Sequence, residues 1–112
     1  MDRPNLTRAL VLEEAQRMAD GAGGFSETWT AKGTLWAEVR PGTGRARSQG
    51  LAPVSGVPMK VIVHAAPQGA AQRPAPGQRF RDVNRLFAID AVTEWDPQGH
   101  YLVCFVDEEV VA

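Results

Sequence analysis

The sequence predicts an all-β fold, built as a small barrel or sandwich of short strands. Two runs rich in β-branched and aromatic residues, 86–95 and 101–106, flank a turn sequence at 96–99. Two upstream segments, 25–30 and 34–40, alternate between apolar and polar residues, as half-buried strands do. Long stretches rich in Pro and Gly separate the strands, so we expect extended loops.

The two C-terminal runs predict a central β-hairpin. In the turn Asp-Pro-Gln-Gly, the Asp accepts from the backbone, the Pro presets φ, and the Gly lets the chain leave. The period of two places four residues of the first run on one face: Phe87, Ile89, Ala91 and Trp95. The second run is apolar on both faces, so one face fits a core and the other needs cover from neighbouring structure or another subunit.

The N-terminal segment is ambiguous on local pattern. Residues 6–19 contain apolar positions at helical spacing, but the apolar run 9–12 could equally begin a strand. A glycine-rich breaker at 20–24 ends the segment in either case. We expect a bend or bulge at residues 32–33 between the two alternating segments, and a further strand at 57–64.

A chain of 112 residues forms a single domain with one modest core. Segments 41–56 and 65–77 hold almost no large apolar residue, so both are predicted to be mobile loops, the second without a core contribution. The single cysteine excludes an internal disulfide framework. No run approaches the roughly 20 apolar residues of a membrane helix, so no membrane partner is expected.

No nucleotide-binding, metal-binding or hydrolase motif occurs in the sequence, so we expect neither an enzyme nor a cofactor or metal site. Cys104 with His64 or His100 could in principle form a nucleophile and base. A cysteine inside an apolar strand is more often a small buried hydrophobe. The three Trp residues could be platforms for nucleic-acid bases, but their positions in predicted strands favour core or subunit-interface packing.

Charge is divided unevenly along the chain. Residues 39–81 contain no Asp or Glu, while all 13 acidic residues and five of the 12 basic ones lie outside, so the middle carries +7 and the flanks −8. The basic residues of the middle are Arg40, Arg45, Arg47, Lys60, Arg73, Arg79 and Arg81. Such a block indicates contact with a polyanion or a complementary partner, unless folding interleaves the two signs of charge.

Two guanidinium groups, Arg45 and Arg47, stand one residue apart in the Gly-rich segment 41–56. Phosphate contact needs reach and charge rather than fixed geometry, so such a loop suits nucleic-acid backbone binding. A simply solvated loop is the other interpretation.

In these features the chain resembles the head–tail joining proteins of tailed phages, specifically the head-closure or stopper group. It is most similar to the versions carried by bacterial gene transfer agents. The resemblance extends over about residues 6–109. The segments that carry it are 20–24, Trp29, 35–39, 76–80, 87–92, 94–99 and 101–102.

The resemblance implies a small SH3-like β-barrel with long Pro/Gly-rich loops, a strand over about 9–18, and no catalytic residue. It also implies a homo-oligomeric ring, a hexamer being favoured, between the portal and adaptor proteins and the tail terminator. In that family the long loop projects toward the DNA channel. The resemblance implies that this loop is 41–56 here, and that Arg40, Arg45 and Arg47 face packaged double-stranded DNA.

We also predict a subunit interface in which the acidic segment of one copy meets the basic middle of its neighbour. The residues assigned to it are Asp107, Glu108, Glu109, Arg79 and Arg81. The implied location is the bacterial host cytoplasm during assembly and then the neck of the particle. The alternative function is a cellular SH3- or OB-like module that binds RNA or a peptide.

Overall fold

In the computed structural model, which describes residues 3–42 and 56–109, the chain forms six antiparallel strands. The strands are β1 Arg8–Ala19, β2 Phe25–Pro41, β3 Gly56–His64, β4 Arg79–Asp82, β5 Arg85–Glu94 and β6 Tyr101–Glu109. The predicted all-β class is confirmed. Nothing in the described ranges forms a helix that could cross a membrane.

The sheet closes on itself as a barrel in the order β1-β2-β3-β6-β5-β4. Closure depends on β4, which returns to β1 through three residue pairs: Val11 with Arg81, Leu12 with Phe80, and Glu13 with Arg79. The predicted C-terminal hairpin is confirmed, and β6 is central because it pairs with both β3 and β5.

Side chains from one face of every strand fill the interior of the barrel. The buried cluster consists of Leu10, Leu12, Ala37, Val61, Val63, Phe80, Phe87, Ile89, Leu102, Cys104 and Val106. The period-two alternation explains this set, since successive side chains of a strand point to opposite faces. The other face of β6 is also covered in part, because Val103 and its β3 partner Ile62 are both buried outside that cluster.

The ambiguous N-terminal segment is a strand, as the resemblance implied, and it forms a long hairpin with β2. The backbone N–H groups of Ala22 and Gly24 donate to Oδ1 of Asp20 at 2.8 and 3.0 Å and fix the turn. The predicted bulge is confirmed, because Leu12 pairs with Gly33 while the next residue of β1 pairs with Ala31.

The predicted facing of the first run is wrong beyond Ile89. The register of β5 against β6 shifts between Ile89 and Ala91, so the period of two is broken at Asp90. Beyond the bulge Val92 packs against the core and Ala91 is exposed, so Ala91 does not share the face of Phe87.

Residues 65–77 contain one fully buried side chain, that of Pro74, which lies outside the buried core cluster. The segment follows consecutive turns, with the N–H of Ala70 donating to the Pro67 carbonyl at 3.0 Å. A guanidinium N–H of Arg73 donates to the Ala66 carbonyl at 2.8 Å. Of the other predicted loop, residues 43–55 lie outside the described ranges.

A buried carboxylate stands on the outer side of the β1–β4 seam. Glu13 is only 5% exposed. Arg79 Nε donates to its Oε1 at 2.7 Å and Arg81 Nε donates to its Oε2 at 2.8 Å. The Arg79 guanidinium also lies 4.0 Å from the Trp29 ring centroid. These contacts form a clamp across the strand pair that closes the barrel.

Burial alone would raise the pKa of Glu13, but hydrogen bonds from Arg81 and Arg79 and their positive charges hold the pKa below the ordinary 4.5. A lowered pKa in the folded state means that the clamp stabilises the protein above the unfolded-state pKa. That stabilisation is lost as the pH falls through the folded pKa.

We expect Glu13→Gln to lower the free energy of unfolding at pH 7 by about 1–3 kcal/mol, because two arginines lose their charged acceptor. Urea unfolding followed by tryptophan fluorescence measures the difference, which should shrink as the pH is lowered below 4.5. The matched control is Glu14→Gln on the neighbouring residue, whose half-exposed pair with Lys32 spans 3.3 Å and should contribute less than about 0.5 kcal/mol. Equal effects at both positions would contradict the clamp.

A strained residue joins β4 to β5. Val83 has a φ of 55°, in the left-handed region that β-branched residues avoid, and its side chain is 81% exposed. It belongs to a two-residue turn between the paired residues Asp82 and Arg85, where a primed turn favours Gly. The exposed side chain does not repay the strain within the described chain.

Val83→Gly should therefore stabilise the isolated protein by about 1 kcal/mol, since Gly adopts positive φ without steric cost. Val83→Ala keeps the left-handed strain and should change stability by less than about 0.5 kcal/mol. Thermal unfolding of both variants tests this, and a lower melting temperature for Val83→Gly would show that the turn is not strained.

Candidate assembly surface

One end of the barrel gathers the segments that the sequence singled out. The pairings Pro41 with Met59 and Gly56 with Glu109 place the base of the long loop beside the end of β6. The β4–β5 turn lies at the same end, because Phe87 of β5 pairs with Glu108. We call residues 40–42, 56–59, 82–85 and 107–109 the loop end.

Four charged side chains cover the open end of the barrel at the loop end. Arg85 binds Glu108 through two parallel bonds, Nε to Oε2 at 2.6 Å and an Nη2 to Oε1 at 2.8 Å. Arg8 binds Asp82. Each of the four lies two residues along its strand from a core residue, so the side chains continue the inward face and cover the barrel mouth.

The network at the mouth is electrostatically coupled. The Arg85 hydrogen bond lowers the pKa of Glu108 against the opposing effect of burial, and the charges of Arg85 and Arg8 lower it further. The Glu108 hydrogen bond in turn raises the pKa of Arg85, and Asp82 adds to this shift. Both shifts favour the charged forms of Glu108 and Arg85, so the loop end carries a charged ion pair held by two hydrogen bonds.

Arg40 is the described member of the predicted DNA-facing set. It lies near the end of β2 and pairs with Glu38, whose carboxylate also accepts from the Asn5 backbone N–H. These two hydrogen bonds hold the pKa of Glu38 below its ordinary value. Arg45 and Arg47 fall outside the described residues.

The loop leaves the barrel from a fixed base. The N–H of Gly42 donates to the Pro58 carbonyl at 2.9 Å, which continues the β2–β3 pairing one residue past the strand. On the returning side, Gly56 pairs with Glu109 of β6. A side chain added to Gly42 would lie 2.7 Å from the Pro58 oxygen, so this position requires Gly.

The two groups of residues predicted for the subunit interface lie in different parts of the chain. Arg79 and Arg81 lie on the outer face over β1, where Glu13 binds both. The acidic segment lies at the loop end, where Asp107 pairs with Pro58 of β3 and Glu108 is bound by Arg85. The acidic and basic blocks thus interleave within one chain at these positions.

The structure does not support Cys104 as a nucleophile with a histidine as its base. Cys104 is fully buried, and burial raises the pKa of its thiol to about 12, with only a small opposing effect from the charge of Arg73. The thiol stays protonated at neutral pH and is not a nucleophile. His64 stacks on Tyr101 at 5.3 Å between ring centroids, and His100 Nδ1 lies 3.6 Å from Asp96 Oδ2.

In the described part of the chain, no group of three His, Cys, Asp or Glu side chains could hold a metal ion. The side chains that distinguish the surface are instead exposed and apolar. The large ones are Met18, Phe25, Trp36, Val57 and Val83.

Trp36 belongs to an apolar surface site that the charge pattern of the sequence does not predict. Of its two predicted positions, core or subunit interface, the structure excludes the core, because Trp36 is 59% exposed on the outer wall of the barrel. With Leu6, Thr7 and His64 it lines an apolar groove of about 520 Å³. The alternation of β2 indicates this exposure, because Trp36 and Glu38 lie on the same face of the strand and the buried Ala37 lies on the other.

Comparison with solved structures finds a similar chain in a structure described as "Virion of native gene transfer agent (GTA) particle". The two are 56% identical, the match covers 98% of this chain and 100% of that one, and the TM-score is 0.81. The solution structure of protein SF1141 from Shigella flexneri 2a covers 100% of both chains at 19% identity and a TM-score of 0.68, which shows a shared fold alone.

No curated protein matches the sequence. A family model described as "Phage head completion protein" matches residues 1–109. With the similarity to a chain of a gene transfer agent virion, this match supports the resemblance seen in the sequence. The chain belongs to the phage head completion protein family and is a head–tail structural component of a phage-like particle, not an enzyme.

Proposed function

We propose that copies of this chain form a homo-oligomeric ring, a hexamer being favoured, in the neck of a gene transfer agent or phage particle. The ring lies between the portal and adaptor proteins and the tail terminator, retains packaged DNA and provides the site of tail attachment. The observation that carries the proposal is the 56% identity, over nearly the whole chain, to a protein of a gene transfer agent virion. The chain assembles in the host cytoplasm before it joins the particle.

The barrel suits the role of a ring segment. Its sheet has no open edge around the body, and the Glu13 clamp and the charged mouth both fix its shape. A rigid segment keeps its two lateral faces at a constant angle, which a closed ring of repeated heterologous contacts requires.

DNA retention is assigned to the loop 41–56. Arg40 lies at its base, Arg45 and Arg47 lie within it, and the loop contains no acidic residue. Contacts of this kind address phosphates without reading sequence and weaken steeply with salt. Because a ring brings several loops to one channel, each copy needs only modest affinity for DNA.

The proposed lateral contact joins the acidic segment of one copy to the basic outer face of the next. Within the chain, Arg85 already binds Glu108 and Glu13 already binds Arg79. The contact therefore engages first Glu109, which is exposed at the loop end, and Arg81, whose side chain is 41% exposed. Exposed pairs of this kind set orientation more than they supply affinity.

Arg45→Glu combined with Arg47→Glu should reduce the nuclease-protected DNA per particle severalfold, because reversed charges repel phosphate, while the ring still assembles. The measurement is the protected DNA in particles from a deletion strain complemented with each variant, compared at low and high salt. Arg45→Lys with Arg47→Lys is the matched control, and it should retain DNA because charge rather than guanidinium geometry is required. Unchanged retention in the Glu variant would refute the assignment of the loop.

A further inference from the structure

We propose that the projecting β1–β2 hairpin of one copy packs into the Trp36 groove of the next copy. This inference rests on the proposed ring and names the apolar contact that holds it together. The arm is residues 14–19 of β1 and 25–31 of β2, joined by the turn 20–24. The groove is the apolar surface lined by Leu6, Thr7, Trp36 and His64.

The arm extends beyond the barrel as two strands only. The pairing of β1 with β4 ends at Glu13, and the pairing of β2 with β3 begins at Ala37. From Glu13 to Ala19 the hairpin continues for six residues, about 20 Å at the rise of an antiparallel strand. Every residue from 16 to 28 is exposed except Gly24.

Such an arm is poorly stabilised by its own chain. Its base is held where Arg79 stacks on Trp29 and Lys32 pairs with Glu14. Beyond the base, both strand edges are open. A two-stranded hairpin without a packed face is only marginally stable in water, and its open edges invite pairing or cover. The arm therefore gains most from a partner that covers it.

The tip of the arm is apolar in spite of its exposure. Phe25 is 63% exposed and Met18 is 59% exposed, on opposite faces of the hairpin. The Arg17 guanidinium lies 4.7 Å from the Phe25 ring centroid. The Asp20 turn, fixed by two backbone hydrogen bonds, holds this tip in shape. An aromatic ring backed by an arginine is the composition of an interface anchor.

The groove offers a complementary surface on the outer wall. Trp36 pairs with Ala9 in the sheet and presents its indole to solvent. His64 forms the opposite wall and is held by stacking on Tyr101. The volume of about 520 Å³ accommodates an aromatic side chain with its neighbours.

The occupant of the groove is a second copy, because the arm cannot reach its own groove. Phe25 and Trp36 lie 11 positions apart on the same continuous strand, which places them about 35 Å apart. Each chain carries one arm and one groove on different surfaces, which is the arrangement of a heterologous, head-to-tail contact. When the ring closes, every arm and every groove is filled.

The size of the contact fits one part of an assembly interface. An arm about 20 Å long and about 10 Å wide presents roughly 200 Å² on the face that carries Phe25. A stable interface buries roughly 800 Å² per partner. The arm would therefore supply about a quarter of that area, and the lateral charge contact would add to it.

The test is a disulfide between copies inside assembled particles. Phe25→Cys with Trp36→Cys, introduced into a complemented deletion strain, should give linked multimers on non-reducing gels after mild oxidation. Cys104 is buried with a raised pKa, so the unsubstituted chain should stay unlinked. The matched control, Val83→Cys with Trp36→Cys, places a thiol at the loop end, at a position more exposed than Phe25, and should remain unlinked.

Tailed particles whose doubly substituted chains do not link would overturn the arm–groove contact and leave the proposed ring intact. If the double variant fails to assemble, a photo-crosslinking residue at position 25 in the otherwise unchanged chain gives the same test. The contact predicts a cross-link to the peptide that contains Trp36 of another copy. Cross-links only within one chain, or to a different virion protein, would refute it.

Discussion

Closure of the sheet at the β1–β4 seam is the constraint on which the rest of the structure depends. Only three residue pairs join these strands, yet one of them brings together Leu12 and Phe80, both fully buried. Glu13 meets Arg79 and Arg81 on the outer side of the same pairs. A slip of one residue would turn Phe80 outward and separate the carboxylate from both arginines, so apolar and polar contacts specify the same register.

The charges that are segregated along the chain are largely recombined by the fold. Arginines of the acid-free middle bind Glu13 and Glu38, and Arg85 binds Glu108 at the barrel mouth. Arg45 and Arg47 have no acidic neighbour in sequence. The arginines that bind carboxylates stabilise the barrel, whereas the proposed contact with DNA is assigned to the loop 41–56.

The sequence predicts the fold class and the core well because one physical period governs both. It could not predict the β5 bulge, since an extra residue at Asp90 reverses the facing of Ala91 without a compositional mark. The Glu13 clamp could not be predicted either, because Arg79 and Arg81 lie 66 and 68 residues from Glu13 and meet it only when the barrel closes. Local pattern left β1 open between helix and strand, and tertiary pairing with β2 and β4 decides it.

The most direct test of the account is deletion of the gene in the producing strain, followed by negative-stain microscopy of the particles. A head–tail ring protein predicts tailless heads beside separate tails, with poor retention of DNA, and rescue by the unsubstituted gene. Tailed, DNA-filled particles from the deletion strain would contradict the proposed position in the neck.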